Sequence, residues 1–279
     1  MILRDLKIVF IGGGNMASAI IGGLIKQGAQ AKHISVADPS IDCQTRLREN
    51  FGIETHPNID SMTNALSQAH VAVLAVKPQQ FKEVARAYAA LQLVSQPLLF
   101  SVAAGIKTTD ISRWTNNAKV IRAMPNTPAL INQGMTGLFA SASSNHEERA
   151  IAEMICQAMG SHVWVEHEEL MDSITAVSGS GPAYFFAFIE AIEKAGVSQG
   201  LDAASARKLS IQTALGAAML AQQSTDSPSV LREKVTSKGG TTYAALQVFE
   251  KMDLQGIVSE ALEAARARGA EMGEELGRD

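Results

Sequence analysis

Two short stretches of this chain carry residue types suited to holding anions. GGGNMA (12–17) fits the pattern GxGxxA, with Gly12, Gly13, Gly14, Asn15, Met16 and Ala17 between a strand-like run and a helical one. Gly12 permits a tight turn and Gly14 lets backbone approach a pyrophosphate. Ala17 keeps the following helix close to the sheet, and that helix turns its positive end towards phosphate charge. The second stretch is TSKGGTT (236–242), a glycine-rich bend with hydroxyls that leads into another helical pattern. Ser237 Oγ, the bend at Gly239, and the N–H groups of Gly240, Thr241 and Thr242 suit a second anion, through charge-assisted bonds at a helix start. A glycine helix start capped by threonines is the bland alternative for this stretch taken alone.

Further residues join the first loop by position. Asp38 ends the second strand-like run, where a carboxylate binds ribose hydroxyls and disfavours a 2′-phosphate, which leans towards NADH. Ser40, Arg46 and Arg48 lie just downstream and are suited to receive such a phosphate, so NADPH or NADH stays open. Ala75, Val76, Lys77 and Pro78 end one strand-like run, and Ala103, Ala104 and Gly105 follow the next. These are the places where open α/β sheets bind their ligands. Lys77 reads equally as a solvated lysine at a strand end.

The elements that must position these residues fall into two parts. Apolar runs at 7–11, 34–38, 71–76, 98–102, 119–123, 135–140 and 162–165 alternate with helical patterns. Several are apolar at nearly every position, as strands buried on both faces are. Asn145 and Glu148 predict a capping box. After about residue 166 no convincing strand remains. The stretch 183–189 is helical and apolar almost all round, so it is expected to be buried on every side. The fold class expected is α/β, with an N-terminal doubly wound Rossmann domain (1–166) followed by an all-α substrate-binding and dimerisation domain (167–279).

Composition sets the outer bounds. The 279 residues are 46% apolar and 19% charged, ordinary for a globular protein. Lys and Arg number 24 against 28 Asp and Glu, a formal charge of −4, which gives no electrostatic case for nucleic acid. The charged start (Arg4, Asp5, Lys7) lacks the apolar core of a signal peptide, and no run is long enough to span a bilayer, so a cytoplasmic protein is expected. Cys43 and Cys156 read as buried reduced thiols, with no metal pattern around them.

Taken with AMPNTP (123–128) and SGSGPAY (178–184), these stretches closely resemble the pyrroline-5-carboxylate reductase family, from the first strand to about residue 264. The pairing of SGSGPAY with VTSKGGTTYAAL carries most of that resemblance. It implies reduction of the C=N bond of a five-membered cyclic imine bearing a carboxylate, with NADPH or NADH, to give proline. It also implies a helical domain that dimerises by interleaving, dimers that often assemble into larger rings, and a substrate lying between the nicotinamide and the TSKGGTT loop, partly across the dimer interface. Thr242 matches the family residue that bonds the ring nitrogen. Glu168 matches a position near bound proline, although an exposed surface carboxylate fits it as well. Asn58 matches a cofactor contact across a gap. Asp38 and Lys238 depart from many members. A β-hydroxyacid dehydrogenase would carry a lysine in a GxxGxGxxxK helix, whereas the corresponding stretch here has none before Lys194. A non-catalytic nucleotide-sensing dimer would have no use for TSKGGTT.

Overall fold

The computed structural model describes residues 2–278. Among them, eight strands form one sheet in the order β3-β2-β1-β4-β5-β6-β7-β8. They are β1 (Ile8–Ile11), β2 (Ile34–Ala37), β3 (Glu54–His56), β4 (Val71–Leu74), β5 (Leu98–Ser101), β6 (Val120–Met124), β7 (Gly134–Ala140) and β8 (Gly160–Trp164). The intervening helices are α1 (Asn15–Lys26), α2 (Ile41–Phe51), α3 (Thr63–Gln68), α4 (Pro78–Ala90), α5 (Thr108–Thr115) and α6 (His146–Gln157). Each of the seven runs expected to be strands is one. The short β3, polar and half exposed, has no apolar signature and escapes a reading based on buried strands.

Alternate residues of β1 show why the sheet is covered twice. Ile8 and Phe10 join Ile20, Ile21 and Leu24 of α1 and Ile151 and Ile155 of α6 in one core. Val9 and Ile11 point the other way, into a second core with Phe81, Ala85 and Tyr88 of α4 and Ile111 and Trp114 of α5. Successive strand side chains face opposite sides, so a strand apolar at every position needs helices on both. One departure from the parallel pattern occurs: β6 and β7 pair antiparallel, Ile121 opposite Ala140. The link between them is a 3₁₀ turn, Thr127–Ile131, too short for the crossover that a parallel neighbour requires. Through α6, β8 then returns parallel to β7.

The rest of the chain is helical: α7 (Leu170–Ile174), α8 (Gly181–Ser198), α9 (Ala203–Gln223), α10 (Pro228–Lys234), α11 (Thr241–Lys251) and α12 (Leu254–Gly277). A π-turn, Thr175–Gly179, precedes α8, which carries Pro182 in its first turn, where a missing N–H costs nothing. Contacts divide the chain into two compact units. The first comprises Met1–Ser180 with Ala265–Asp279, and the second Gly181–Ala264. The break therefore falls after the π-turn, later than the boundary expected after residue 166, and the end of the last helix belongs with the sheet.

Within the second unit, Asp202 caps α9 through the Ser205 N–H at 3.0 Å, and Phe188 meets Phe249 with ring centroids 6.2 Å apart. The stretch 183–189 is not buried on every side in the single chain. Phe185 is 70% exposed and Phe186 65%. No helix among the described residues is long and apolar enough to cross a membrane.

Candidate active site

The first loop follows β1 at the point where strand order reverses, with β2 on one side of β1 and β4 on the other. Gly12 has φ +96°, and a Cβ there would lie 2.6 Å from the Ala75 carbonyl oxygen. A close approach of β1's end to β4's end thus demands glycine. Gly14 differs: its φ is −65° and a Cβ built on it meets nothing within 4 Å. The fold does not need glycine there, and the open space above it is room that a pyrophosphate could use against the start of α1. No side chain caps that helix start.

The other expected cofactor residues gather at the carboxyl ends of neighbouring strands. Asp38 follows β2, Asn58 follows β3, Ala75 to Pro78 join β4 to α4, and Ala103 to Gly105 follow β5. Lys77 stands as N-cap of α4 with Pro78 behind it. Asn58 Oδ1 accepts the Ser61 N–H at 3.0 Å, a local turn that shapes the entry to α3. The basic pair downstream separates. Arg48 reaches Thr55 and Thr45 at 2.8 and 3.1 Å, whereas Arg46 lies on the Gly13 carbonyl at 3.3 Å.

Glu168, whose family position implies a place near bound proline, is engaged within the chain. Its carboxylate accepts the Thr108 N–H at 2.8 Å and the Thr108 hydroxyl at 2.7 Å, and it faces Arg122 at 3.3 Å. It caps the start of α5, just after the Ala103–Gly105 loop, and compensates a guanidinium whose side chain is 4% exposed. It is therefore not an exposed surface carboxylate. Thr108 and Arg122 went unremarked in the sequence. The available signal was an arginine inside the apolar strand VIRAM, which must find a buried acid. Glu168→Gln is expected to lower stability by about 1.5–3 kcal/mol, the scale of one lost charge-assisted bond, measured as a urea midpoint. A changed KM for the imine at unchanged stability would instead restore the substrate role.

Asp172 lies 3.8 Å from the same guanidinium. Burial pushes its carboxyl up from the usual 3.8, against the pull of Arg122, Lys107 and Arg266 and with some help from Glu168. Folding thus favours the protonated acid. Its contribution is complete below the unfolded pKa and is lost as pH rises through the folded one. Asp172→Asn should therefore gain stability relative to the parent chain as pH rises above 3.8, read from paired urea midpoints.

The second loop is built by the second unit alone. Gly239 has φ +74°, and Gly240 N–H closes the turn on the Ser237 carbonyl at 3.0 Å. A Cβ on Gly240 would come 2.6 Å from Ser237 Oγ, so the hydroxyl sits directly against the start of α11. Gly240 is its N-cap, and no side chain caps the helix; Thr241 and Thr242 occupy its first turn. Donors at a helix start with no side-chain acceptor, beside an exposed hydroxyl, could serve as an anion cradle. In the first unit, Asn126 of AMPNTP bridges the Met135 N–H at 2.9 Å and the Ser178 carbonyl at 3.0 Å. That bridge pins the π-turn that opens SGSGPAY.

A doubly wound sheet with a glycine turn at its switch point, followed by a helical unit with its own anion cradle, defines a dinucleotide-dependent oxidoreductase. The family model for pyrroline-5-carboxylate reductase dimerisation matches residues 168–272, and one described as NADP oxidoreductase, coenzyme F420-dependent, matches 7–105. A pyrroline-5-carboxylate reductase of Pseudomonas aeruginosa is 42% identical, covering 97% of this chain and 98% of its own. The solved reductase of Coxiella burnetii superposes with TM-score 0.90 at 39% identity, over 96% of this chain and 98% of its own. That of Plasmodium falciparum, solved with NADP bound, gives 0.83 at 26% identity, over 97% and 99%. The chain belongs to the pyrroline-5-carboxylate reductase family.

Proposed function

We propose that this chain reduces 1-pyrroline-5-carboxylate to L-proline, the last step of proline biosynthesis, with NADPH or NADH as hydride donor. One observation carries the reading: Gly14 and Gly240 each open a helix as a glycine N-cap with no side-chain cap on the helix start. The first suits a cofactor pyrophosphate, and the second a substrate carboxylate.

The nicotinamide, when bound, supplies the hydride. The chain's own residues do the remaining work. Ser237 Oγ and the N–H groups of Gly240, Thr241 and Thr242 hold the carboxylate, with Gly239 shaping the bend. Thr242 Oγ1 orients the ring nitrogen and stabilises it as it changes from imine to amine. An iminium already carries the proton that the product amine keeps, so no strong acid or base is required. All six histidines precede the helical unit. Catalysis is then mostly positioning and electrostatics.

The family's dimerisation segment also gives the exposed phenylalanines of α8 a purpose. A homodimer would cover them, possible larger rings included, in a cytoplasmic protein. Sedimentation at twice the monomer mass or more is expected, and a monodisperse monomer would overturn the dimer. For the reaction, purified protein is mixed with pyrroline-5-carboxylate and NADPH or NADH, and the nicotinamide absorbance is followed. Loss of absorbance is expected with at least one cofactor. Binding of both without consumption of either would remove the substrate reading of TSKGGTT.

A further inference from the structure

The middle glycine of the first loop is held on both sides by the following βα unit. Gly13 N–H donates to Asp38 Oδ2 at 2.8 Å. Its carbonyl accepts from Cys43 Sγ at 2.8 Å and from Arg46 Nη2 at 3.3 Å. The second carboxylate oxygen of Asp38 takes the Ser40 N–H at 2.9 Å, and the Asp38 carbonyl takes Gln44 Nε2 at 2.8 Å. Helix α2 rests on Gly13 so closely that a Cβ there would lie 2.7 Å from Leu47 and 2.8 Å from the Cys43 sulfur. Burial, and then the Asp38 charge, push the Cys43 thiol above its ordinary 9.0, so it remains an S–H donor at neutral pH.

This arrangement fixes the turn before any ligand arrives. A trans peptide sends its N–H and C=O to opposite sides. Holding the Gly13 carbonyl on Cys43 and Arg46 therefore turns the Gly14 N–H the other way, as a donor for a phosphate oxygen. Each Asp38 oxygen already accepts an amide, and a guanidinium stands at the far side of the same glycine. A carboxylate so engaged is oriented by the loop itself, with one acceptor site on each oxygen already taken.

We propose that Asp38 and Cys43 clamp Gly13, making Asp38 a positioning residue for the pyrophosphate loop that serves both cofactors, not the group that sorts NADH from NADPH. The proposal rests on the dinucleotide reading of the loop given above. It reverses the inference that an acid at the end of β2 selects against a 2′-phosphate.

Direct binding tests it without turnover. The dissociation constants of NADPH and NADH are measured by nicotinamide fluorescence on the full chain, on Asp38→Asn, and on Cys43→Ala and Cys43→Ser. Asp38→Asn keeps one acceptor and presents a donor to the other amide, so both constants should rise about tenfold while their ratio changes less than about threefold. Cys43→Ala should weaken both cofactors together, and Cys43→Ser, which keeps a hydroxyl donor, should recover most of that loss. A discriminating Asp38 would behave otherwise. Tighter NADPH binding with weaker NADH binding, shifting the ratio about tenfold or more, overturns the proposal. So does a Cys43→Ala chain that binds both cofactors like the parent. Should Asp38→Asn fail to fold, as read by circular dichroism, the Cys43 pair decides. If the parent chain binds neither cofactor, the dinucleotide reading itself falls, and the clamp with it.

Discussion

Gly14→Ala is expected to weaken NADPH and NADH by on the order of 100-fold, about 2.7 kcal/mol, while the chain stays folded. The built Cβ meets no protein atom within 4 Å, and φ −65° with ψ −168° is backbone that alanine adopts readily. Alanine is a poorer N-cap than glycine, by about half a kcal/mol, but it also restricts the unfolded chain by about as much. The two effects roughly cancel, so the thermal midpoint of the cofactor-free protein should barely move. On the proposed reading, the methyl fills space that a pyrophosphate needs, and forcing a group into a packed site costs about 1–3 kcal/mol. Titration of nicotinamide fluorescence, with a melting curve on the same sample, checks both halves. A variant that binds normally would mean that the phosphates lie elsewhere.

Thr242→Ala should lower kcat/KM for the imine by roughly 10- to 150-fold, the effect of one bond to a partly charged group at about 1.5–3 kcal/mol. Thr242 sits in the first turn of α11, and no side chain caps that helix. On the proposed reading, removing its hydroxyl takes away the contact to the reacting ring nitrogen and leaves the proposed carboxylate donors in place. Unchanged kinetics would remove Thr242 from the site.

Much of the site can be read from consecutive residues. A glycine turn, a capped or uncapped helix start and a strand apolar at every position are local demands, and the residues that meet them are neighbours in the chain. GGGNMA between β1 and α1, the Asn145–Glu148 capping box and Pro182 in the first turn of α8 all follow from such demands. β3 does not, because a short polar edge strand has no periodicity that sets it apart from a loop.

Asp38 and Glu168 mark the boundary of that legibility. The sequence by itself determined that the chain carries a dinucleotide turn at the end of β1 and a second glycine cradle before α11, since backbone conformation and spare N–H groups are written into a few adjacent residue types. Only the tertiary structure decided that Asp38 turns to Gly13, that Glu168 closes on Thr108 and Arg122, and that Phe185 and Phe186 remain uncovered in one chain. A carboxylate finds its partner, and a hydrophobic face its cover, by proximity across tens of residues or between copies of the chain, and residue type alone does not specify which donor or surface arrives there.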